Sequence, residues 1–273
     1  MHRIETITSQ CGDTGLARLL QAACRAALTG GSIIRQLYDK PHTIKMKGTI
    51  NLVTEADIAS ETAIVASLNE DVPGIAIMAE ESAEESPGQP ADRTWIIDPL
   101  DGTTNFAHGF PFFAVSIALV EDANPRLGVV YCPMQDELFC ACRGKGAWLN
   151  SDRISVTKTR FPVEALVATG FPYDIHARLD TVLRQLRSVL PKVRDIRRAG
   201  AAAVDLAYVA SGRLDGFWEM DLKPWDTAAG WLLVEEAGGR VTDFAGNPYS
   251  TLVPEILASN GVLHERFINM LRG

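Results

Sequence analysis

An apolar run that ends in carboxylates is the feature that most restricts how this chain can fold. Residues 94 to 98, which lead into the segment "WIIDPLDGTTNF" (95 to 106), are typical of a β-strand ending at Asp98, and Asp101 follows three positions later. Two carboxylates beside a hydrophobic core are unfavourable unless other groups compensate their charge. The fold must therefore bring compensating groups to the end of this strand.

Further acids occur where other predicted elements begin or end. Glu80 follows the short apolar run "GIAIMA", Asp57 lies in the first turn of a helix predicted over residues 54 to 70, and Asp226 opens a helix in "KPWDTAAG". Acids at such positions can project into one shared site. No His or Cys accompanies them, and oxygen ligands of this kind suit Mg²⁺ or Mn²⁺ better than Zn²⁺. Each acid alone is more simply a turn or N-cap residue, so only their combination predicts a metal site.

The residues after Asp101 predict an anion site beside these acids. Gly102 permits a tight turn, and the amide N–H groups of Gly102, Thr103 and Thr104 can then open a helix. The N-terminus of a helix attracts anions through its free N–H groups and its dipole. One segment can thus supply both metal ligands and a phosphate-binding turn.

Helical and strand-like patterns alternate loosely along the chain, which predicts mixed α/β layers. Helices are predicted at 14–39, 54–70, 176–190, 199–212, 261–272 and in "WDTAAGWLLVEEAGG", and strands at 94–98, 113–122, 126–134 and in the segments "DELFCACRGKGAWLN", "EALVATGFP", "DGFWEMDL" and "EILASN". Thr54 is the expected N-cap of the second helix, and Asp13 or Thr14 that of the first. Residues 80 to 93 are expected to form a loop, and the residues before position 14 receive no role.

Composition narrows the class of protein. The 273 residues are 47% hydrophobic, which suits a globular chain with a large core, and the formal net charge of −8 argues against general nucleic-acid binding. No apolar stretch has the length of a membrane span or the pattern of a signal peptide, so we expect a cytoplasmic protein without membrane contact. The five cysteines are expected to be reduced and partly buried. His108, just past the main motif, is interpreted as a surface or packing residue.

Taken together, the motifs resemble a known family. "WIIDPLDGTTNF" and "PWDTAAGWLLVEEAGG" are similar to the two signature motifs of the inositol monophosphatase family, and "AEES" and "NLVTEAD" are similar to its upstream motifs. The similarity extends from about residue 15 to 270, and "RRAGAAAVDLAYVASGRLDGFWEMDLKPWD" resembles bacterial members. The resemblance implies an αβαβα five-layered sandwich, the sugar-phosphatase fold. We expect a single domain over 1–273, with an N-terminal lobe of about 1–150 and a C-terminal lobe of about 151–273.

The resemblance also implies roles for individual residues. Glu80, Asp98 and the Leu100 carbonyl would hold one metal ion, and Asp98, Asp101 and Asp226 a second. Glu80 and Thr103 would orient the attacking water, with Asp57 as an outer acid near a third, weaker metal. Gly102, Thr103 and Thr104 would bind phosphate. Asp101, Gly200, Ala202, Glu219 and Asp226 would contact the substrate. Lys47 resembles a lysine near the site, and the choice of Glu80 over Glu81 rests on the motif.

The function implied is that of a phosphomonoesterase which hydrolyses inositol 1-phosphate to inositol and phosphate. It would depend on two or three Mg²⁺ ions, with Mn²⁺ as a substitute, be inhibited by Li⁺, and form a homodimer. No GxSxG elbow or Cys nucleophile motif occurs, in keeping with direct attack by water.

Other readings stay open. The substrate could be another small phosphate ester, as in fructose bisphosphatases, histidinol phosphatases or adenosine bisphosphate nucleotidases, although Thr104 favours the inositol type over relatives with Lys at that position. Some bacterial relatives act in transcription antitermination, so RNA polymerase is a possible partner. A calcium-binding structural protein is disfavoured, since no DxDxDG loop is present.

Overall fold

Two β-sheets and the helices around them organise the chain. The computed structural model describes residues 2–12, 14–40, 44–46, 52–83 and 92–272. The helices of these residues are α1 His2–Cys11, α2 Thr14–Leu37, α3 Glu55–Asp71, α4 Glu80–Ala83, α5 Thr103–Ala107, α6 Ile175–Val189, α7 Ala202–Ala210, α8 Pro224–Glu236 and α9 His264–Arg272. The strands are β1 Ile44–Met46, β2 Leu52–Thr54, β3 Ala76–Ala79, β4 Arg93–Asp101, β5 Ala114–Glu121, β6 Asn124–Cys132, β7 Glu137–Cys142, β8 Gly146–Leu149, β9 Asp152–Ile154, β10 Leu166–Thr169, β11 Asp195–Arg197, β12 Gly216–Met220, β13 Arg240–Thr242 and β14 Glu255–Ser259.

The strands of the described residues form two large sheets and one two-stranded sheet. The first sheet has seven strands in the order β3-β4-β5-β6-β7-β8-β9, and only its first pair, β3 with β4, is parallel. The second has five strands in the order β11-β10-β12-β14-β13, with β10 parallel to both of its neighbours. Strands β1 and β2 pair antiparallel.

Three hydrophobic clusters show how the layers stack. One cluster joins α1, α2 and α3 to one face of the seven-stranded sheet. A second lies between the two sheets and contains α7 and α8, and a third packs α6 and α9 against the far face of the five-stranded sheet. The order helices, sheet, helices, sheet, helices is the αβαβα sandwich, so the predicted fold class is confirmed. None of the described helices combines the length and apolar character that crossing a bilayer requires.

Helix α8 lies close against the first sheet because a strand residue lacks a side chain. A Cβ atom at Gly128 in β6 would lie 2.7 Å from the carbonyl oxygen of Ala229 in α8. Glycine in a strand commonly marks such an approach of two backbones. The contact fixes the height of α8 over the sheet, and so the position of Asp226 in its first turn.

The end of β4 bends where the two carboxylates occur. The register of β4 against β5 shifts between Asp98 and Asp101. Pro99, inside this shift, has no N–H to donate to a neighbouring strand, which is why proline in a sheet occurs at edges and bulges. The irregularity lets both acids leave the regular ladder on the same side of the turn.

Several predicted element boundaries needed correction. The N-terminal residues without an assigned role form α1, whose Ile4 and Ile7 are buried. Helix α7 begins at Ala202 rather than 199, because Gly200 has a φ of 86° and Ala201 is extended. The segment expected to be a loop opens with the helical turn α4.

Thr54 is confirmed as the N-cap of α3, since its side chain accepts from the Ala56 N–H and Asp57 closes a capping box. Thr14 is the first residue of α2, while Asp13 lies outside the described residues. The seven-stranded sheet ends at Ile154 and the five-stranded sheet begins with β10, but the division into two lobes near residues 150 to 165 stays a prediction.

Candidate metal and substrate site

Nearly all of the predicted site residues line one cavity of about 360 Å³. Those on its wall are Glu80, Asp98, Leu100, Asp101, Gly102, Thr103, Thr104, Gly200, Ala202, Glu219 and Asp226. Asp57 lies behind Thr103, and Lys47 lies outside the described residues. A larger and more open groove of about 680 Å³, beside Arg18, Arg93 and Arg126, contains none of these residues, so the chemistry belongs to the smaller cavity.

Three acids converge within this cavity. Carboxylate oxygens of Asp98, Asp101 and Asp226 all lie within 4.8 Å of one another. Two of these acids leave the end of β4, and the third comes from the first turn of α8. Because every ligand atom of this set is a carboxylate oxygen, the three acids could hold a hard cation such as Mg²⁺ or Mn²⁺.

Backbone N–H groups hold each of the three carboxylates in place. Asp98 accepts a hydrogen bond of 2.9 Å from the Leu100 N–H. Asp101 accepts hydrogen bonds from the N–H groups of Ala202 and Ala203, the first two residues of α7, at 3.2 and 2.8 Å. Asp226 accepts at 2.6 Å from the Lys223 N–H. These bonds fix the acids in one arrangement but leave other lone pairs free for a cation.

The acids carry unfavourable electrostatic energy in the absence of a cation. Burial raises the pKa of Asp98 well above its usual range, and the charges of Glu80, Asp101 and Asp226 raise it further. Burial and the charge of Asp226 raise the pKa of Asp101 to about 7. Burial likewise raises the pKa of Asp226 to about 6, although the Lys223 N–H lowers it in part. A bound cation would reduce the repulsion between carboxylates held this close together.

Thr103 and Asp57 form a hydrogen-bonded pair at the cavity wall. The Thr103 hydroxyl lies 2.9 Å from Asp57 Oδ1 and 3.1 Å from the Leu100 carbonyl oxygen, and it can donate to either. The other oxygen of Asp57 accepts from the Thr54 N–H at 2.8 Å and the Thr54 hydroxyl at 2.6 Å. Asp57 is fully buried, and burial raises its pKa against these hydrogen bonds. The Thr103 hydroxyl is thus oriented from behind, with its oxygen able to accept a hydrogen bond.

The segment 102 to 104 opens a short helix, as its sequence predicts. Gly102 is the N-cap of α5 with a φ of 97°, a conformation that favours glycine. A Cβ atom at this position would also lie 3.0 Å from the Phe112 carbonyl oxygen. The first N–H groups of α5 have no partner within the helix. The residues that carry them, 102 to 104, line the cavity together with the acids.

Of the two neighbouring glutamates, Glu80 lines the cavity. The charge of Glu80 raises the pKa of Asp98, which places its carboxylate near the three converging acids. Glu81 is instead tied to α3, since its backbone N–H donates at 2.9 Å to Glu61. Glu80 does not belong to the group of oxygens within 4.8 Å of one another.

Glu219 lies in the same cavity as the metal-ligand candidates, together with Gly200 and Ala202. Burial raises its pKa, as do the charges of Asp205 and Asp226, whereas Arg198 lowers it. A Cβ atom at Gly170 would lie 2.0 Å from both Glu219 carboxylate oxygens, so the carboxylate fills the space over this glycine.

Several residues of the site escaped the sequence predictions. The Asn105 side chain donates to the carbonyl oxygens of Phe112, Ala199 and Gly200 at 2.7, 2.9 and 3.3 Å, and so joins the end of the main motif to the loop before α7. Its place in "GTTN" was the only available signal. Arg198 and Phe171 also line the cavity, and no sequence pattern singled them out.

Comparison with known proteins agrees with this geometry. The model of the inositol monophosphatase family matches residues 16–273. The Nus factor SuhB of Escherichia coli K12 is 43% identical over 244 residues, which are 89% of this chain and 91% of that protein. Inositol monophosphatase 2 of Solanum lycopersicum is 42% identical over 262 residues, which are 94% of this chain and 98% of that protein.

Solved structures give the same result. The extragenic suppressor protein suhB from Bartonella henselae has a TM-score of 0.88 and 40% identity, and the match covers 93% of this chain and 98% of that one. The inositol monophosphatase from Anabaena has a TM-score of 0.86 and 38% identity, with 95% and 97% covered. The chain therefore belongs to the inositol monophosphatase family and is a phosphatase of that superfamily.

Proposed function

We propose that this protein is a Mg²⁺-dependent phosphomonoesterase that hydrolyses inositol 1-phosphate to inositol and phosphate. The observation that carries the proposal is the convergence of Asp98, Asp101 and Asp226 within 4.8 Å of one another beside the N–H groups that open α5. A set of oxygen ligands next to an anion site fits a phosphate ester better than any other small substrate, because both halves of the site are complementary to phosphate and its counter-ions.

The donor set fits the metal that the family resemblance implies. Glu80, Asp98 and the Leu100 carbonyl would hold one ion, and Asp98, Asp101 and Asp226 a second, with Mn²⁺ as a possible substitute. When bound, such ions lower the pKa of water and neutralise charge on the phosphoryl oxygens. Asp57 would serve a third, weaker ion only from a distance, because Thr54 and Thr103 already occupy its oxygens.

The protein's own groups would orient the attacking water. The Thr103 hydroxyl would donate its hydrogen bond to Asp57, which leaves its oxygen able to accept a hydrogen bond from the water. Glu80, on the same cavity wall, would accept the second hydrogen bond and take up a proton as the water attacks, and the leaving alkoxide would take a proton from solvent to depart as the alcohol. A water held by two acceptors has a lone pair aimed at the phosphorus, which is the positional part of the catalysis.

The turn at 102 to 104 would hold the phosphate. The N–H groups of Gly102, Thr103 and Thr104 would donate to the phosphoryl oxygens, over which the negative charge of the transition state is spread. Glu219 would accept a hydrogen bond from a hydroxyl of the alcohol, while Gly200 and Ala202 would contact it through the backbone.

Substitution of one central acid tests the proposal. Asp98→Asn keeps the size of the side chain but removes its charge, so we expect phosphate release with Mg²⁺ to fall roughly a hundredfold or more. Asp180→Asn, an exposed acid of α6 outside the cavity, is the matched control and should keep wild-type activity. Near-wild-type turnover of the Asp98→Asn protein would refute the metal assignment.

A panel of esters tests the substrate. Phosphate release would be compared for inositol 1-phosphate, fructose 1,6-bisphosphate, histidinol phosphate and adenosine bisphosphate, with Mg²⁺ and with or without Li⁺. We expect the highest kcat/KM for inositol 1-phosphate and inhibition by Li⁺. A higher value for one of the other esters would assign the chain to that sister activity.

A second role is supported by the relatives that carry the name Nus factor SuhB, at 42% to 46% identity. We propose that the chain also binds the transcription machinery as an antitermination partner, through a surface outside the catalytic cavity. Capture of purified RNA polymerase by the tagged protein tests this role, and Asp98→Asn should capture it equally well. Failure to retain polymerase above a tag-only control would reject the role without affecting the phosphatase.

A further inference from the structure

The wall of the cavity that holds the three converging acids also contains an arginine whose charge no ion pair among the described residues uses. Arg198 lines the cavity, and none of the described residues forms a hydrogen bond or ion pair with its guanidinium. Its neighbour Arg197 differs, since that guanidinium pairs with Asp195 at 2.6 Å and does not line the cavity. A guanidinium carries five N–H donors, so Arg198 keeps donors available for a ligand.

The position of the Arg198 guanidinium is fixed by one contact with an aromatic ring and one with a glycine. Its Cζ atom lies 5.0 Å from the centroid of the Phe171 ring, a cation–π distance. Its Nη1 atom would lie 2.9 Å from a Cβ atom at Gly200, so the side chain crosses over this glycine. Asn105 holds the carbonyl oxygens on either side of this loop position, at 2.9 and 3.3 Å. The donors are therefore positioned by the fold rather than left on a free side chain.

A hydrogen-bond acceptor, the Glu219 carboxylate, lies against the residue that precedes Phe171. Gly170 directly precedes Phe171, and the Glu219 carboxylate fills the space over Gly170. Among the described residues none donates a hydrogen bond to the Glu219 side chain. Gly170 thus lies against an anionic acceptor and Phe171 against a cationic donor, and both Glu219 and Arg198 line the cavity.

The charges around Arg198 favour binding of neutral hydroxyl groups of a substrate over binding of a second phosphate group. Arg198 lies close enough to lower the pKa values of Asp205 and Glu219, so one positive charge faces two carboxylates. A second phosphate group would enter a region without surplus positive charge and meet the Glu219 carboxylate, which lines the cavity. A polyol, in contrast, offers hydroxyl groups that can accept from an arginine and donate to a carboxylate.

We propose that Arg198 is a specificity-determining residue, which donates hydrogen bonds to a hydroxyl of the leaving alcohol while Glu219 accepts from another. The assignment rests on the proposed phosphatase function and narrows its substrate class to monophosphates of neutral polyols. Gly170 makes the arrangement possible by leaving room for Glu219, and Phe171 supports the guanidinium.

The test compares two esters in the full-length protein with Mg²⁺. Selectivity is the kcat/KM for inositol 1-phosphate divided by that for p-nitrophenyl phosphate, which has no hydroxyl group on its leaving group. We expect Arg198→Ala to lower this ratio about ten- to a hundredfold, since a charged hydrogen bond to the polyol is lost. Arg198→Lys should restore part of it, and Arg197→Ala should keep the wild-type ratio.

The other outcomes separate the two levels of the proposal. An equal loss on both esters in Arg198→Ala would mean that the arginine only balances the charge of Glu219, and an unchanged ratio would mean that it makes no contact; either overturns the subsite. A kcat/KM for fructose 1,6-bisphosphate above that for inositol 1-phosphate, abolished by Arg198→Ala, would also overturn it in favour of a phosphate contact. Wild-type protein that releases phosphate from none of the esters would reject the phosphatase function itself.

Discussion

Glu219 occupies space that a side chain at position 170 would otherwise fill. Gly170 does not have a positive φ, so alanine is compatible with the backbone there, yet its Cβ would lie 2.0 Å from the Glu219 oxygens. The glutamate would have to rotate away. This makes the glycine a residue that positions an acid rather than one required by a turn.

We therefore expect Gly170→Ala to lower kcat/KM for inositol 1-phosphate about tenfold, because Glu219 leaves its place against the substrate. The thermal unfolding midpoint should change little, since the carboxylate moves within a cavity. Steady-state kinetics of Gly170→Ala, Glu219→Gln and the double variant check this. If the two losses simply multiply, the glycine does not act through the glutamate.

At the residue scale, sequence reasoning identified the acids but not their supports. Asp98, Asp101 and Asp226 stand out because charge at the end of an apolar run is costly and because the motifs around them are specific. Asn105 and Arg198 act through contacts with residues far along the chain, and a single polar residue in a sequence does not indicate such a distant partner. Their roles therefore emerge only from the three-dimensional arrangement.

Helix α1 is the element that the sequence reasoning left without a role. Its ten residues contain only a few apolar positions, so periodicity gives a weak signal. In the structure, Ile4 and Ile7 nevertheless join the cluster that covers the first sheet. Three-residue strands such as β11 and β13 were missed for a related reason, because so short a segment cannot show an alternating pattern.

Truncation of Ile7 to alanine should measure how far α1 contributes to stability. Ile7 is fully buried, so we expect Ile7→Ala to lower the free energy of unfolding by about 2–5 kcal/mol. Glu5→Ala, on the exposed face of the same helix, should change it by less than about 0.5 kcal/mol. Urea denaturation gives both values. A matching small effect of the two substitutions would show that α1 is docked only loosely.

Cysteine side chains of the two N-terminal helices contact cysteine side chains of strand β7. Cys11 of α1 lies with its sulfur 2.6 Å from that of Cys142, and Cys24 of α2 lies 3.4 Å from Cys140. All five cysteines lie within the described residues, and each is a buried thiol outside any disulfide. Burial raises the pKa of Cys132 and Cys140, which further lowers their reactivity.

For the folded protein we accordingly expect less than about one thiol per chain to react with Ellman's reagent within minutes. All five should react once denaturant unfolds the chain. The time course of absorbance in the two conditions measures the difference. Rapid modification of a thiol in the native protein would mean that the N-terminal helices open readily.

The molecule as a whole should respond to pH and metal in opposite ways. The folded-state pKa values of Asp101 and Asp226, about 7 and about 6, lie above their ordinary value of 3.8. Between about pH 4 and 7 the metal-free folded protein thus binds more protons than the unfolded chain, so its stability falls as pH rises through this window.

Thermal unfolding in the presence of EDTA should consequently show a midpoint several degrees lower at pH 8 than at pH 5, as far as these acids contribute. Millimolar Mg²⁺ should raise the midpoint at pH 8 and have less effect at pH 5, where protons compete for the same oxygens. In Asp98→Asn both differences should shrink. A midpoint that Mg²⁺ leaves unchanged at pH 8 would count against ion binding by these acids.

The layered architecture could be predicted from the sequence because the order of the motifs is specific to one family. The way in which two copies of the chain associate could not be predicted from the same motifs. The homodimer that the resemblance implies stays a prediction, which light scattering after size-exclusion chromatography can check. The two-lobe division also stays a prediction. Helices α7 and α8 belong to the hydrophobic cluster between the two sheets.

The origin of the three acids on β4 and α8 has a consequence for synthesis of the chain. A polypeptide still emerging from the ribosome contains Asp98 and Asp101 long before Asp226 is translated. Until α8 has folded between the two sheets, the nascent chain therefore lacks part of the candidate site. Any fragment that ends before this helix should be inert toward phosphate esters, however well its first sheet has formed.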